Sequence, residues 1–265
     1  PAGVKRLSAQ LRVSVQRDAG RAAGYSDEAY AQAGATLVEH RDEILRGCDL
    51  VLGHDSHYRG EDIGGPKTFI GFLNVLNERD VVDHYRRPGI TLHSLDLIPR
   101  TTLAQAMDVL SSVASISGYQ AVLLAAERSL ATVPMITSAG GTLRPARFLI
   151  MGAGVAGLQA IATARRLGAI VRAYDVRSAS RTEVESLGAT FIEVEGAVED
   201  RKAGGYAVEQ TPEHLERIRQ VIHAEASQAD VIITTAKIPG RKAPLLITED
   251  MVRGMKPGAV VVDLA

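Results

Sequence analysis

The amino-acid sequence predicts an α/β protein with doubly wound, mainly parallel sheets, and three observations point to that class. Helix-like and strand-like segments alternate up to about residue 100. Between Arg147 and Asp175 an apolar run, a glycine-rich turn, a helical segment and a second apolar run follow in order. Further strand-like runs at 190–194, 230–235 and 259–264 then continue the pattern. Together these predict two Rossmann-like domains, residues 1–110 and residues 111–265.

Each element has a local reason. Residues 12–16 (RVSVQ) alternate as a strand does. Ser26 supplies an N-cap, and Asp27 and Glu28 suit the first turn of a helix running to Ala33. Gly34 closes that helix, and residues 35–40 form the next strand. Strands are also expected at 49–54, 67–73 and 90–98, with a helix over 77–85 stopped by Pro88 and Gly89. A longer helix is expected over about 102–127, softly broken at Gly118, and the breaker-rich stretch 134–145 reads as a loop. The strands of the second half, with 147–151 and 170–174, fit the spatial order 3-2-1-4-5, lacking a sixth Rossmann strand. Gly34, Gly168 and Gly188 recur in LGA or AGA as the same helix-ending device. Pro1 at the start and AVVVDLA at the end make the chain read as a piece of a longer protein, short at both ends.

Composition narrows the function classes. The 265 residues suffice for two α/β domains, and 46% hydrophobic with 23% charged residues is globular in character. A net charge of −1 gives no whole-chain reason to expect nucleic acid or an anionic membrane. Cys48 is the single cysteine, which excludes an intrachain disulfide and points to a reducing compartment. No signal-peptide pattern is visible, and no apolar run is read as approaching the roughly 20 residues of a bilayer span.

The chemistry concentrates at GAGVAG. Gly152 permits a tight turn out of the strand, Gly154 a close backbone approach to a pyrophosphate, and Gly157 close helix–strand packing. The helix N-terminus behind them presents N–H groups and partial positive charge to an anion. Asp175, ending the next strand, suits the hydroxyls of an adenosine ribose and favours NAD(H) over NADP(H). Arg172 and Arg177 nearby bring positive charge that works against this preference.

Other segments leave two readings open. Gln105 and Asp108 are spaced to share a helical face, with Arg100 in the preceding loop, but Thr102 and Gln105 also fit a capping box. The stretch 195–212, centred on Gly204, Gly205 and Tyr206, reads as a lid or as a surface loop. Thr235 and Ala236 follow the fourth strand, whose carboxyl end borders the crevice, and Lys237 is either a contact or a solvated charge. GHDSH (53–57) is taken as a polar loop, and no metal site is expected because no Cys/His cluster supports one.

Taken together, Arg100–Gln105–Asp108, GAGVAG, YDVR (174–177), AGGYA and TTAKIPG resemble one family over nearly the whole chain. They are similar to the NAD(H)-binding first domain of the proton-translocating transhydrogenase α subunit, with which the alanine dehydrogenases share a fold. The resemblance implies an enzyme of the Re/Si-specific type, with direct hydride transfer between NADH and NADP⁺ held on a partner domain. It also implies NAD(H) as cofactor, a homodimer, and partners comprising an NADP(H)-binding domain and a membrane proton-channel domain. The chain would then sit on the cytoplasmic side, peripheral to the inner membrane. Residue by residue, Arg100, Gln105 and Asp108 would orient the nicotinamide, joined by Ser111 one helical turn later. Gly152, Gly154, Val155 and Gly157 would contact the pyrophosphate and adenosine end, and Asp175 and Arg177 the adenosine ribose and adenine region. Gly205 and Tyr206 would form the tip of a mobile loop, and Thr235 and Ala236 would line the nicotinamide cleft. Direct hydride transfer moves no proton, so the resemblance requires alignment and exclusion of water rather than a general acid or base. Alanine dehydrogenases carry a histidine soon after the FTYL-like strand, where this chain has FIGFLN with Asn74 near that place, and they are shorter at the Gly-Gly-Tyr loop. Gln210 and Lys237 depart from the transhydrogenase pattern, which has a methionine and an apolar residue there. On this resemblance the chain is expected to begin after the family's N-terminal strand and its arginine-containing turn, and to end before the segment that follows VVDLA. A non-catalytic NAD-binding fragment is the remaining alternative.

Overall fold

The computed structural model describes residues 1–53, 65–86, 88–99, 101–194, 211–236, 240 and 242–265, without the side chains of Arg79 and His84. It divides into two compact units, Pro1–Pro99 and Arg100–Ala265.

In the first unit the order is α1 (Ala2–Leu7), β1 (Val13–Gln16), α2 (Asp27–Gln32), β2 (Ala35–Val38), α3 (Arg41–Gly47), β3 (Leu50–Gly53), β4 (Lys67–Gly71), α4 (Arg79–Tyr85) and β5 (Ile90–Ser94). Ser26 caps α2 as expected, its hydroxyl accepting from the Ala29 N–H at 3.3 Å. All strands are parallel to their neighbours, but they form two groups, β1–β2 and β3–β4–β5. Helix α3, which the sequence did not suggest, packs on β1 and β2 and sends Leu45 into the core of the second group. That core holds Val51, Phe69, Leu73, Val81 and Tyr85, with the Phe69 and Tyr85 rings 5.0 Å apart. Lys67 is buried, its ammonium donating to the Leu45 carbonyl in the last turn of α3, where the helix dipole favours a cation. The expected strand 90–98 stops at Ser94 because Leu95–Leu97 turns into a 3₁₀ segment. There the Asp96 carboxylate accepts from the Leu73 N–H at 2.9 Å and the Ser94 hydroxyl at 2.8 Å, tying the ends of β4 and β5 together.

The second unit comprises α5 (Val109–Arg128), β6 (Ile136–Ser138), β7 (Gly141–Leu143), β8 (Arg147–Met151), α6 (Val155–Arg166), β9 (Ile170–Tyr174), α7 (Ser180–Ser186), β10 (Thr190–Phe191), α8 (Pro212–Gln228), β11 (Val231–Thr234), α9 (Glu249–Arg253) and β12 (Val260–Asp263). Its five-stranded parallel sheet runs β10–β9–β8–β11–β12, the 3-2-1-4-5 order the sequence predicts. Side-chain alternation splits the core in two. Phe148, Ile150, Val171, Ala173, Val231 and Ile233 face α5 and α6, while Leu149, Met151, Tyr174 and Ile232 face α8 and α9. Both faces of the sheet are thus covered, as a doubly wound fold requires. Gly34, Gly168 and Gly188 have φ of +100°, +93° and +78°, the left-handed geometry their shared role demands.

Three expectations are corrected. The stretch 134–145 is not a plain loop: β6 and β7 pair antiparallel, Ile136 opposite Leu143. Helix α5 begins at Val109 rather than near Thr102, and it runs unbroken through Gly118. This glycine is an inter-helix contact instead of a break, since a Cβ there would lie 2.1 Å from the Ala156 carbonyl oxygen in α6. Third, α5 is long and apolar enough to cross a membrane by length and composition alone, because its polar residues are uncharged over most of its length. Its Ala121, Val122 and Ala125 lie in the core with Phe148 and Ile161.

The α5–α6 approach yields a prediction. Gly118→Ala should destabilise the protein by about 1–3 kcal/mol through overpacking, measured by chemical denaturation, while Gly3→Ala, whose Cβ meets nothing within 4 Å, serves as the control. Equal stability of the two variants would refute the close crossing.

Candidate dinucleotide site

The site is built outward from the end of β8. Gly152 has φ +102°, its N–H donates to the Tyr174 carbonyl at 2.8 Å, and it turns the chain toward α6. A Cβ on Gly157 would lie 1.8 Å from the Gly152 carbonyl oxygen, so the first turn of α6 rests on the backbone of the turn. Gly154 is the N-cap of α6, and a Cβ there would meet nothing within 4 Å. Among the described residues the N-terminus of α6 is thus open at Gly154, with no side-chain cap and no acidic residue in its first turn. This is the geometry of an anion site: orphan N–H groups beginning at Val155, a favourable dipole, and room for close approach. The arrangement fits a pyrophosphate.

Thr235 braces the turn from β11. Its hydroxyl lies 3.1 Å from the Gly152 carbonyl oxygen and 3.3 Å from that of Met151, and its N–H donates to Met151 at 2.8 Å. A Cβ on Gly152 would fall 2.6 Å from that hydroxyl and 3.3 Å from the Ala236 nitrogen, placing both Thr235 and Ala236 directly beside the glycine turn.

Asp175 stands at the end of β9, its side chain only 8% exposed. One carboxylate oxygen accepts from the Ala153 N–H at 2.7 Å, inside the glycine turn, and from Arg177 Nη2 at 3.0 Å. The other accepts from the Arg177 backbone N–H and Nε, both at 2.9 Å. Arg177 Nη2 also reaches the Ala153 carbonyl at 3.3 Å. Hydrogen bonding to Asp175 raises the Arg177 pKa further above its usual value. Arg172, by contrast, pairs with Glu225 at 2.7 Å on the α8 side of the sheet. Burial, reinforced by the Asp175 charge, pushes the Tyr174 phenol well above the ordinary tyrosine range. The Tyr174 hydroxyl is buried and has no hydrogen-bond partner among the described residues.

At the start of α5, Asp108 and Ser111 form one unit. Asp108 is the N-cap, accepting from the Ser111 N–H at 2.9 Å and from its hydroxyl at 2.6 Å. The capping box of Thr102 with Gln105 is not formed. Gln105 opens a separate 3₁₀ turn, Gln105–Met107, so Gln105 and Asp108 do not share a face of one α-helix. The physical reason is that the Asp108 side chain captures the first free N–H groups of α5 and fixes its start there. Ser111 lies seven residues before Gly118, about 10 Å along the helix from the crossing with α6. Arg100, Gly204, Gly205, Tyr206, Gln210 and Lys237 lie outside the described residues, as does most of GHDSH. Among the described residues no three His, Cys, Asp or Glu side chains converge as a metal set.

Sequence reasoning missed Asp263. At the end of β12 it accepts from the Thr234 hydroxyl and, at 3.0 Å, from the Ala265 N–H, on the same carboxyl edge of the sheet as Asp175. The signal was present, since VVVD repeats the pattern of an acid closing an apolar strand.

Comparison with known proteins finds relatives along the whole chain. The "Alanine dehydrogenase/PNT, N-terminal domain" model matches residues 1–117 and the "Alanine dehydrogenase/PNT, C-terminal domain" model matches residues 121–265. The chain belongs to the alanine dehydrogenase/PNT family. Within that family it is 42% identical to an NAD(P) transhydrogenase subunit alpha chain of Rhodospirillum rubrum, covering 100% of this chain and 72% of that protein. It is 40% identical to NAD(P) transhydrogenase subunit alpha of Cereibacter sphaeroides, over 95% of this chain but 49% of the relative. Alanine dehydrogenase 1 of Staphylococcus aureus (strain N315) is 28% identical over the full chain and 67% of its own length. Among solved structures, transhydrogenase from Sinorhizobium meliloti superposes with a TM-score of 0.85 at 37% identity, covering all of this chain and 72% of that one. An L-alanine dehydrogenase at 23% identity and a TM-score of 0.79, covering all of this chain and 69% of that one, shares the fold.

Two variants test the geometry. Thr235→Val keeps the side chain's shape but removes its hydroxyl, and should cost about 1 kcal/mol of stability, with Thr235→Ser losing less. A Val variant as stable as the parent would show that the hydroxyl braces nothing. Tyr174→Phe removes a buried unpartnered hydroxyl and should stabilise by about 1 kcal/mol. Because the folded-state phenol pKa is raised, the stabilisation tied to its neutral form holds below about pH 10, the unfolded value, and is lost as pH rises above it. The parent should therefore lose stability between about pH 9 and 11 faster than the Phe variant in thermal melts, and parallel curves would contradict this.

Proposed function

We propose that this chain is the NAD(H)-binding component of a proton-translocating transhydrogenase of the Re/Si-specific type. The observation that carries the reading is the open, uncapped N-terminus of α6 at Gly154, closed on one side by Asp175 and braced by Thr235. Gly152, Gly154, Val155 and Gly157 would hold the pyrophosphate on backbone N–H groups, and Asp175 and Arg177 the adenosine end. Ala236, at the carboxyl edge beside the turn, would line the path to the nicotinamide, with Thr235 fixing its backbone. Asp108 and Ser111, joined as a polar pair, would orient the carboxamide side together with Gln105 and Arg100, and Gly205 and Tyr206 would cover the site. The bound dinucleotide supplies the hydride. What the chain's own residues contribute is alignment and exclusion of water.

On this reading residues 1–110 and 111–265 are the functional domains. The acceptor is NADP⁺ on a partner domain, and a membrane domain couples the transfer to protons. The assembly carries two copies of this chain and lies on the cytoplasmic face of the inner membrane. An amino-acid dehydrogenase is the second reading, supported by the 28% identity to Alanine dehydrogenase 1. Against it stands Asn74, near the place where the alanine dehydrogenase pattern has a histidine. Its amide donates to Glu78 at 3.1 Å and accepts from Asn77 at 2.8 Å, and an amide carries no transferable proton at neutral pH.

The test uses the full-length subunit mixed with its NADP-binding partner. NADH should reduce an NADP⁺ analogue only when both are present. Bound NADH without any transfer would reject the transhydrogenase reading, and NAD⁺ reduction by L-alanine would install the second.

A further inference from the structure

We infer that Arg177 sets how strongly the site discriminates between a ribose 2′-hydroxyl and a 2′-phosphate, by occupying the carboxylate that would otherwise read the hydroxyls. The inference rests on the dinucleotide reading above and names a determinant within it. A carboxylate offers about four acceptor positions, and Asp175 uses them on four donors. Two are backbone N–H groups, of Ala153 and Arg177, held by the fold; the other two are Nε and Nη2 of the Arg177 guanidinium. A ribose diol needs two acceptors. The backbone donors cannot leave without unmaking the glycine turn, so the guanidinium is the group that must yield.

Its displacement has opposite consequences for the two dinucleotides. When a 2′-hydroxyl arrives, breaking the Arg177–Asp175 pair opposes binding, and the freed carboxylate then accepts from the diol. When a 2′-phosphate arrives, the same guanidinium is already at the acid and presents a planar fork that suits phosphate oxygens. While paired, it also neutralises the carboxylate that would repel the phosphate. Arg172 does not compete for this role, being held by Glu225. Arg181, the next cation along the chain, pairs with Glu185 at 2.9 Å and Glu193 at 3.1 Å. Arg177 is 31% exposed, so it has solvent into which to turn.

The experiment titrates the full protein and its Arg177→Gln and Arg177→Lys variants with NADH and NADPH, following dinucleotide fluorescence and calorimetry. Arg177→Gln should bind NADH more tightly and NADPH more weakly, raising the ratio of the NADPH to the NADH dissociation constant by about tenfold. Arg177→Lys keeps the charge but loses the fork, and should move the ratio the same way by less. It also answers the question if the Gln variant does not fold. An unchanged ratio, or a ratio moving toward NADPH, overturns the inference while leaving the dinucleotide site standing. Failure of the parent protein to bind either nucleotide instead removes both this inference and the reading beneath it.

Discussion

The first turn of α6 rests on the carbonyl of Gly152, a contact too close for any side chain at Gly157 to survive. That single backbone approach sets the angle at which α6 leaves the sheet, and other features of the second unit follow from it. Because α6 is seated so low, its N-terminal N–H groups emerge at the carboxyl edge of the strands, where a crevice ligand meets them. Because α6 is fixed, α5 can cross it at Gly118, again backbone against backbone at Ala156. Thr235 then fills the space that the missing Cβ of Gly152 leaves, tying β11 to the same turn. Backbone approaches of this kind tolerate little motion, which suits a site whose proposed contribution is alignment.

The polar groups at that edge are arranged around one cost. A buried carboxylate needs donors, and Asp175 obtains them from the glycine turn and from Arg177. The same bonds that make the acid tolerable in the folded chain leave it no free acceptor. On the proposed dinucleotide reading, ligand binding and internal pairing would compete for one group, and the strength of that competition would set selectivity as much as the acid itself does. Tyr174 shows the opposite outcome: its hydroxyl is carried into the α8 face by a strand whose alternation points it there, and no donor or acceptor among the described residues meets it. The ring packs with Leu149, Met151, Ile218 and Ile222, and apolar packing prevails over hydroxyl satisfaction.

Similarity over the whole chain ties the fold to the alanine dehydrogenase/PNT family, whose members include both transhydrogenase α subunits and alanine dehydrogenases. On the proposed reading, the two chemistries would differ in whether a proton must move. The turn after β4 bears on that distinction. Asn74, at φ +50°, is held by Asp96 through its backbone N–H and by Asn77 and Glu78 through its amide. Such a network holds shape, and the amide at its centre offers neither an acid nor a base.

Much of this was legible in the order of residues. Short apolar runs placed the strands of the second unit and the glycine spacing placed α6, because both are local rules acting within a few residues. Strand order 3-2-1-4-5 followed as well, since right-handed crossovers leave few alternatives. The acid at Asp175 was visible as the end of a strand. What escaped the sequence required knowing which segments meet. Gly118 read as a break because nothing local reveals that Ala156 lies against it. The start of α5 depended on the Asp108 side chain prevailing over Thr102, two caps of similar strength separated only by context. The pairing of Asp175 with Arg177 is local in sequence, yet its consequence appears only when Ala153, from another strand's turn, takes a further acceptor position. Local pattern thus determined the elements and their order; tertiary structure decided which polar groups are already spoken for, because hydrogen-bond saturation depends on neighbours that spacing along a chain does not specify.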